Sequence, residues 1–196
     1  MKTINDKYNL ILASKSPRRQ ELLKGLELNF EIRTKEIEEN FPPALFREEI
    51  PLYLSNLKAK AFEKELNEKD LVITSDTIVW NENKQLGKPK DRREAIEMLQ
   101  SLSGKQHEVI TAVTLMTQSK SHSFYEVTKV FFKKLSLDEI EHYVDTYQPF
   151  DKAGSYGIQE WIGFVGIPKI EGDYFNVVGL PLNRLNLELE KFISIQ

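Results

Sequence analysis

Leu10-Ile11-Leu12-Ala13-Ser14-Lys15-Ser16-Pro17-Arg18-Arg19-Gln20-Glu21-Leu22-Leu23 reads as a short buried strand, a polar turn and the opening of a helix. Ser16 suits the N-cap, because its side-chain oxygen can accept an otherwise orphaned N–H. Pro17 then falls at the first helical position, where its missing donor does no harm. Arg18 and Arg19 follow in the first turn. That end of a helix already carries partial positive charge, so the arginines are locally mismatched. A bound anion would remove the mismatch: backbone N–H groups, serine hydroxyls and guanidinium forks would converge on it, as they do on phosphate. The pattern alone is equally compatible with both arginines pointing into solvent.

Downstream, Gln20 to Gly25 continues the helix, with Leu22, Leu23 and Leu26 expected in the core. Leu28 to Arg33 alternates apolar and polar like a strand. Glu36 to Pro43 is an acidic loop closed by two prolines, and by itself it reads as solvated. Beside a phosphate its carboxylates would repel the ligand unless a divalent cation lay between. Pro51 is placed to start a helix running to about Leu66, with Leu54, Leu57 and Ala61 as its buried stripe. Lys58 lies next to that stripe, so it either snorkels outward or points into a cleft.

Leu71 to Trp80 is the clearest core strand, and Asp76 is embedded in it. A carboxylate among apolar strand residues is costly unless paired, hydrogen-bonded or metal-bound. Asp76 is therefore a candidate catalytic base or metal ligand. Gly87 and Pro89 hold Lys88 in a constrained loop, and Asp91 to Glu94 opens a helix with Ile96, Leu99 and Leu102 on its buried side. Glu108–Thr117 and Ser123–Leu135 read as strands, and Ser136 caps a helix to about Tyr147. Gln148 to Glu160 is a polar, glycine-bearing loop whose glycines lack the GxGxxG spacing. Phe164–Ile170 and Tyr174–Val178 read as a hairpin, and Pro181 begins a last helix. Interleaved strands and helices with some hairpin pairing predict an α/β fold with a mixed sheet and flanking helices.

The 196 residues suit one large domain or two closely joined lobes, and nothing resembles a linker, so a single domain over 1–196 is expected. A formal net charge of -3 excludes a global basic field, and no basic, aromatic-lined face is evident, so nucleic acid is not an expected partner. The absence of cysteine excludes disulfides, thiolate zinc sites and cysteine nucleophiles, and is compatible with a cytosolic protein. His107, His122 and His142 are scattered without metal-ligand spacing. The N-terminus lacks a signal-peptide core, and no apolar run approaches membrane-spanning length.

Five motifs can be read together: Leu12–Arg19, Ser75–Val79, Gly87-Lys88-Pro89, Asp151–Gln159 and Val178–Leu182. In order and spacing they resemble the Maf family of house-cleaning nucleoside triphosphate pyrophosphatases, across about residues 9 to 190. The resemblance implies a mixed-sheet α/β fold with two lobes around a cleft, like other inosine-triphosphatase-type enzymes. It implies hydrolysis between the α- and β-phosphates with a divalent cation, Mg2+ or Mn2+, as cofactor. It also implies a cytoplasmic protein with a nucleoside triphosphate partner and no membrane partner, and allows a homodimer. Carried onto this chain, Glu39 and Asp76 would hold the metal, and Asp76 would orient or deprotonate the attacking water. Ser14, Arg18, Arg19, Lys58 and Lys88 would bind the phosphates. Arg18, Arg19, Thr77 and Gln159 would set specificity, with Thr77 and Gln159 reading the base. The family's 7-methyl-GTP branch typically has Trp at Arg18, Gln at Thr77 and Glu at Gln159. This chain therefore resembles the dTTP/UTP branch. The alternatives are a pyrophosphatase for another modified nucleotide, such as 7-methyl-GTP, and a nucleotide-binding regulator without catalysis.

Overall fold

A computed structural model describes residues 2–194. The chain opens with a short helix, α1 (Lys2–Lys7), which the sequence reading did not anticipate. The stretch quoted above then folds as expected, as β1 (Asn9–Leu12) and α2 (Pro17–Lys24). Ser16 is the N-cap, its hydroxyl accepting from the Arg19 N–H at 3.4 Å. Leu23 is fully buried, while Leu22 and Leu26 pack at the margin of the core. β2 (Phe30–Ile32) pairs parallel with β1, and β1 pairs parallel with β3 (Asp70–Asn81).

Between β2 and β3 lies α3 (Glu49–Lys60), followed by a 3-10 turn at Glu63–Glu65. Here the expectation needs correcting. The helix starts two residues before Pro51 and ends well before Leu66. Proline is tolerated anywhere in the first turn, where no intrahelical N–H bond is lost, so it did not mark the start. The buried face is Ile50, Pro51, Leu54, Ser55 and Ala59, with Leu57 and Ala61 only half-buried.

β3 continues through a tight turn, with Glu82 and Asn83 both at positive φ, into β4 (Lys84–Leu86), an antiparallel partner. α4 (Arg92–Leu102) follows, with Asp91 accepting from the Glu94 N–H at 2.8 Å. Ala95, Met98, Leu99 and Leu102 form its buried face. β5 (Gln106–Met116), β6 (Ser121–Phe131) and α5 (Leu137–Tyr147) come next, α5 opening on a complete capping box at Ser136 and Glu139.

The hairpin expected over residues 164–178 is not there. α6 (Trp161–Gly166) and α7 (Tyr174–Val178) are helical, and only β7 (Lys169–Glu171) between them is a strand, antiparallel to β6. Short apolar runs fit a buried helix as well as a strand, and tertiary contacts decide between them. Asn176 donates to the Val109 carbonyl at 3.0 Å and to the Thr128 hydroxyl at 2.9 Å. Asp173 accepts from the Phe175 N–H at 2.8 Å at the start of α7. α8 (Leu182–Ser194) closes the fold as expected.

The result is a mixed seven-stranded sheet, ordered β2-β1-β3-β5-β6-β7 with β4 on β3, and flanking helices, as the interleaved pattern predicts. The chain forms two compact units whose boundaries fall inside β3, β5 and β6. The first holds the segment up to Asp76, Thr111–Glu126 and the segment from Gly179 onward; the second holds Thr77–Ile110 and Val127–Val178. Among the described residues, no helix is long and apolar enough to cross a membrane.

Candidate active site

The first unit builds its site by strand alternation. Leu71 and Ile73 of β3 join Leu10 and Leu12 in one apolar cluster, while Val72 joins Ile11 and Ala59 in another. Successive strand residues face opposite sides, so Thr74 and Asp76 share the Val72 side, towards α3. The Thr74 hydroxyl donates to the Ser55 carbonyl of α3 at 2.7 Å. One helical turn beyond Ser55 comes Lys58, which meets Asp76, two strand residues beyond Thr74. Its Nζ lies 2.6 Å from Asp76 Oδ1 and 3.0 Å from Glu39 Oε1. The side chains of Lys58 and Asp76 are 15% and 10% exposed, so this pair is little screened by solvent, whereas Glu39 is 49% exposed.

The acidic loop that brings Glu39 there is held at its base by Lys35. Its ammonium donates to the Ala61 carbonyl at 2.7 Å and to Glu65 Oε1 at 2.6 Å, at the far end of α3. Sequence reasoning passed over Lys35, and no local signal marks it.

Arg19 reaches the same strand from α2. Its Nε donates to the Gly179 carbonyl at 2.8 Å and its Nη1 to the Ser75 carbonyl at 2.9 Å. The Ser75 hydroxyl donates to that same Gly179 oxygen at 3.3 Å, and Gly179 sits at φ 123°, a conformation that favours glycine. Burial lowers the Arg19 pKa most; Asp76 and Glu39 act to raise it and Arg18 to lower it. All three therefore lie within electrostatic reach. Ser14 is buried, and its hydroxyl accepts from the Ser16 N–H at 3.2 Å, which fixes the turn before α2.

The structure thus gathers Ser14, Arg18, Arg19, Glu39, Lys58 and Asp76 in the first unit. Thr77, Lys88 and Gln159 belong to the second. There the Lys88 loop and the Gln148–Glu160 loop are joined by the Gly154 N–H donating to the Gly87 carbonyl at 3.0 Å. Lys88 and Gln159 are exposed and Thr77 is half-buried. Sequence reasoning missed His107, Tyr143 and Glu160, which anchor the second loop. The Tyr156 hydroxyl lies 2.7 Å from His107 Nε2, and the Tyr143 hydroxyl bonds both Glu160 and the Gly157 N–H.

Among the described residues no cluster of three or more His, Cys, Asp or Glu could cage a metal unaided. The donor set still fits a hard divalent cation. Two carboxylates already share one cationic group, the Lys58 ammonium, and Mg2+ is commonly held by one or two carboxylates plus substrate phosphates.

A mixed sheet carrying a buried carboxylate beside converging cations defines a candidate anion-processing enzyme. The chain belongs to the Maf family: the model described as "Maf-like protein" matches residues 9–192. It is 53% identical over 187 residues, 95% of this chain and 97% of the relative, to a Bacteroides fragilis protein named dTTP/UTP pyrophosphatase. A Flavobacterium psychrophilum protein of the same name is 56% identical over 180 residues, 92% of each chain. The solved structure of the Staphylococcus aureus Ham1 protein is 15% identical with a TM-score of 0.44, covering 63% of this chain and 71% of that one.

Proposed function

We propose that the chain is a nucleoside triphosphate pyrophosphatase that hydrolyses dTTP and UTP to the monophosphate and pyrophosphate. Membership of the Maf family and the names of relatives matched over nearly the whole chain support this reading. The structural observation that carries it is the Lys58 ammonium held between Glu39 and Asp76, with Arg19 bonded to the backbone one residue before Asp76. A triphosphate brings several negative charges, and Ser14, Arg18, Arg19, Lys58 and Lys88 supply donors and positive charge to bind them. Asp76 orients the attacking water and takes its proton. Glu39 and Asp76 would hold Mg2+ or Mn2+, which would supply positive charge to offset the negative charge that develops in the transition state. Thr77 and Gln159 read the base; an amide both donates to and accepts from a pyrimidine edge. Arg18, with these two, favours dTTP and UTP over 7-methyl-GTP. The protein acts as a single domain in the cytoplasm on free nucleotide, without nucleic acid or membrane, and a homodimer is compatible with this.

The test is pyrophosphate release from dTTP, UTP and 7-methyl-GTP with Mg2+. Rapid release from the first two is expected. Asp76→Asn is expected to abolish turnover while the melting temperature is retained. No release from any triphosphate, or near-normal turnover by Asp76→Asn, would overturn the reading.

A further inference from the structure

Gln159 is the third residue of a tight turn, Gly157-Ile158-Gln159-Glu160, closed by the Glu160 N–H donating to the Gly157 carbonyl at 3.0 Å. One atom outside the turn holds both its ends. The Tyr143 hydroxyl accepts from the Gly157 N–H at 3.0 Å and donates to Glu160 Oε2. The other Glu160 oxygen takes the Lys152 ammonium at 3.0 Å, and Lys152 also bonds Asp151 at 2.7 Å. The carboxylate can fold back over the turn only because residue 157 has no side chain. A Cβ there would stand 2.9 Å from Glu160 Cδ.

Tyr143 is itself immobilised. It is fully buried on α5 and stacks on Tyr147 at 5.2 Å between ring centroids. α5 is fixed by its capping box and by the Arg92–Asp145 pair to the start of α4, at 2.6 Å. Burial and the neighbouring Glu160 carboxylate raise the phenol's pKa well above its ordinary value, so it stays a protonated donor. A flexible exposed amide reads a ligand well only when its backbone is held by locked neighbours.

We propose that Tyr143 is a positioning residue for Gln159, and that its hydroxyl, tying Gly157 to Glu160, sets base discrimination. This rests on the assignment of Gln159 as a base reader. The Tyr143 hydroxyl is bonded to Gly157 and Glu160 of the loop, so its loss acts on recognition of the nucleotide and not on the hydrolytic step.

The test is a double-mutant cycle on the full chain. Tyr143→Phe removes only the oxygen. It is expected to raise KM for dTTP and UTP by about tenfold, to leave kcat within about twofold, and to narrow the preference over GTP and CTP. Gln159→Ala is expected to do the same, and the double variant to be no worse than Gln159→Ala alone, because both act through one group. Glu160→Ala breaks the tie from its other end and should reproduce the loss, which covers the case in which Tyr143→Phe folds poorly. Multiplicative effects in the double variant, or a Tyr143→Phe protein with unchanged KM and preference, would overturn the proposal while leaving Gln159 as a base reader. An unchanged preference in Gln159→Ala would instead remove the base-reading role, and the proposal with it.

Discussion

Mild acid should weaken this fold through one imidazole. His107 lies on β5 at 3% exposure, stacked 5.7 Å from Phe132 and edge-on to Tyr156 at 5.4 Å. Its Nε2 meets the Tyr156 hydroxyl, while its Nδ1 is buried without a hydrogen-bond partner. Burial therefore pulls its pKa from 6.5 down to about 3. The unfolded chain keeps the ordinary value, so between these two pH values it binds more protons than the native protein. Stability from this group is complete above the unfolded pKa and is lost as pH falls from there towards the folded one. The loss is about 1.4 kcal/mol one pH unit below the unfolded pKa and about 2.7 kcal/mol two units below it. Urea denaturation of the wild type and of His107→Gln, from pH 7.5 to pH 4.5, isolates the effect. The glutamine keeps an acceptor for the Tyr156 hydroxyl and does not titrate. The variant starts less stable, and the gap should close by these amounts as the pH drops. Parallel curves would refute a buried neutral His107.

Lys58→Met leaves the buried Asp76 carboxylate and Glu39 without the ammonium between them, at a cost of about 2 kcal/mol once the exposure of Glu39 is allowed for. Added Mg2+ should then raise the melting temperature of the variant more than that of the wild type; equal shifts would show that the cation does not replace the ammonium between these carboxylates. A Cβ at Gly163 would clash with the Ile158 carbonyl oxygen, a backbone atom that cannot swing away. Gly163→Ala should lower stability in urea by about 3 kcal/mol or more, or prevent folding, and an unchanged midpoint would show that α6 can move off the Gln159 turn.

Residues whose partners are near in sequence could be read before the structure was seen. Ser16 and Pro17 set the start of α2, and Ser136 and Glu139 the start of α5. Asp76 is legible for a different reason, as one charge in an apolar, β-branched strand. The reading weakened where distant contacts decide. Phe164–Ile170 and Tyr174–Val178 have the composition of strands. Gly163 leaves room for the Ile158 carbonyl at the start of α6, and the Asn176 bonds to Val109 and Thr128 hold α7 in place. Lys58 was legible only as a lysine beside an apolar stripe; that it joins Glu39 to Asp76 depends on α3 lying along one face of β3. Tyr143 carried no signal, because its role comes from a single oxygen placed between two residues of a later loop.

The two cations beside Asp76 are not equivalent, and their chemistry explains why one is arginine and the other lysine. Arg19 reaches the Gly179 and Ser75 carbonyls at once, the first through Nε and the second through Nη1. That geometry suits a guanidinium, and an ammonium could satisfy only part of it. Arg19 thereby ties the β3 backbone at the residue before Asp76 to the Gly179 turn. Lys58 has the opposite task. Its ammonium is a compact point charge on a flexible stem, shared between two carboxylates on different segments. Under the proposed function it would swing from the carboxylates onto an arriving phosphate, because rotation about its side-chain bonds moves no backbone. Arg19→Lys should therefore loosen the strand and lower the melting temperature, whereas Lys58→Arg should hold the fold and slow turnover, since a rigid fork across Glu39 and Asp76 yields less readily to the incoming charge.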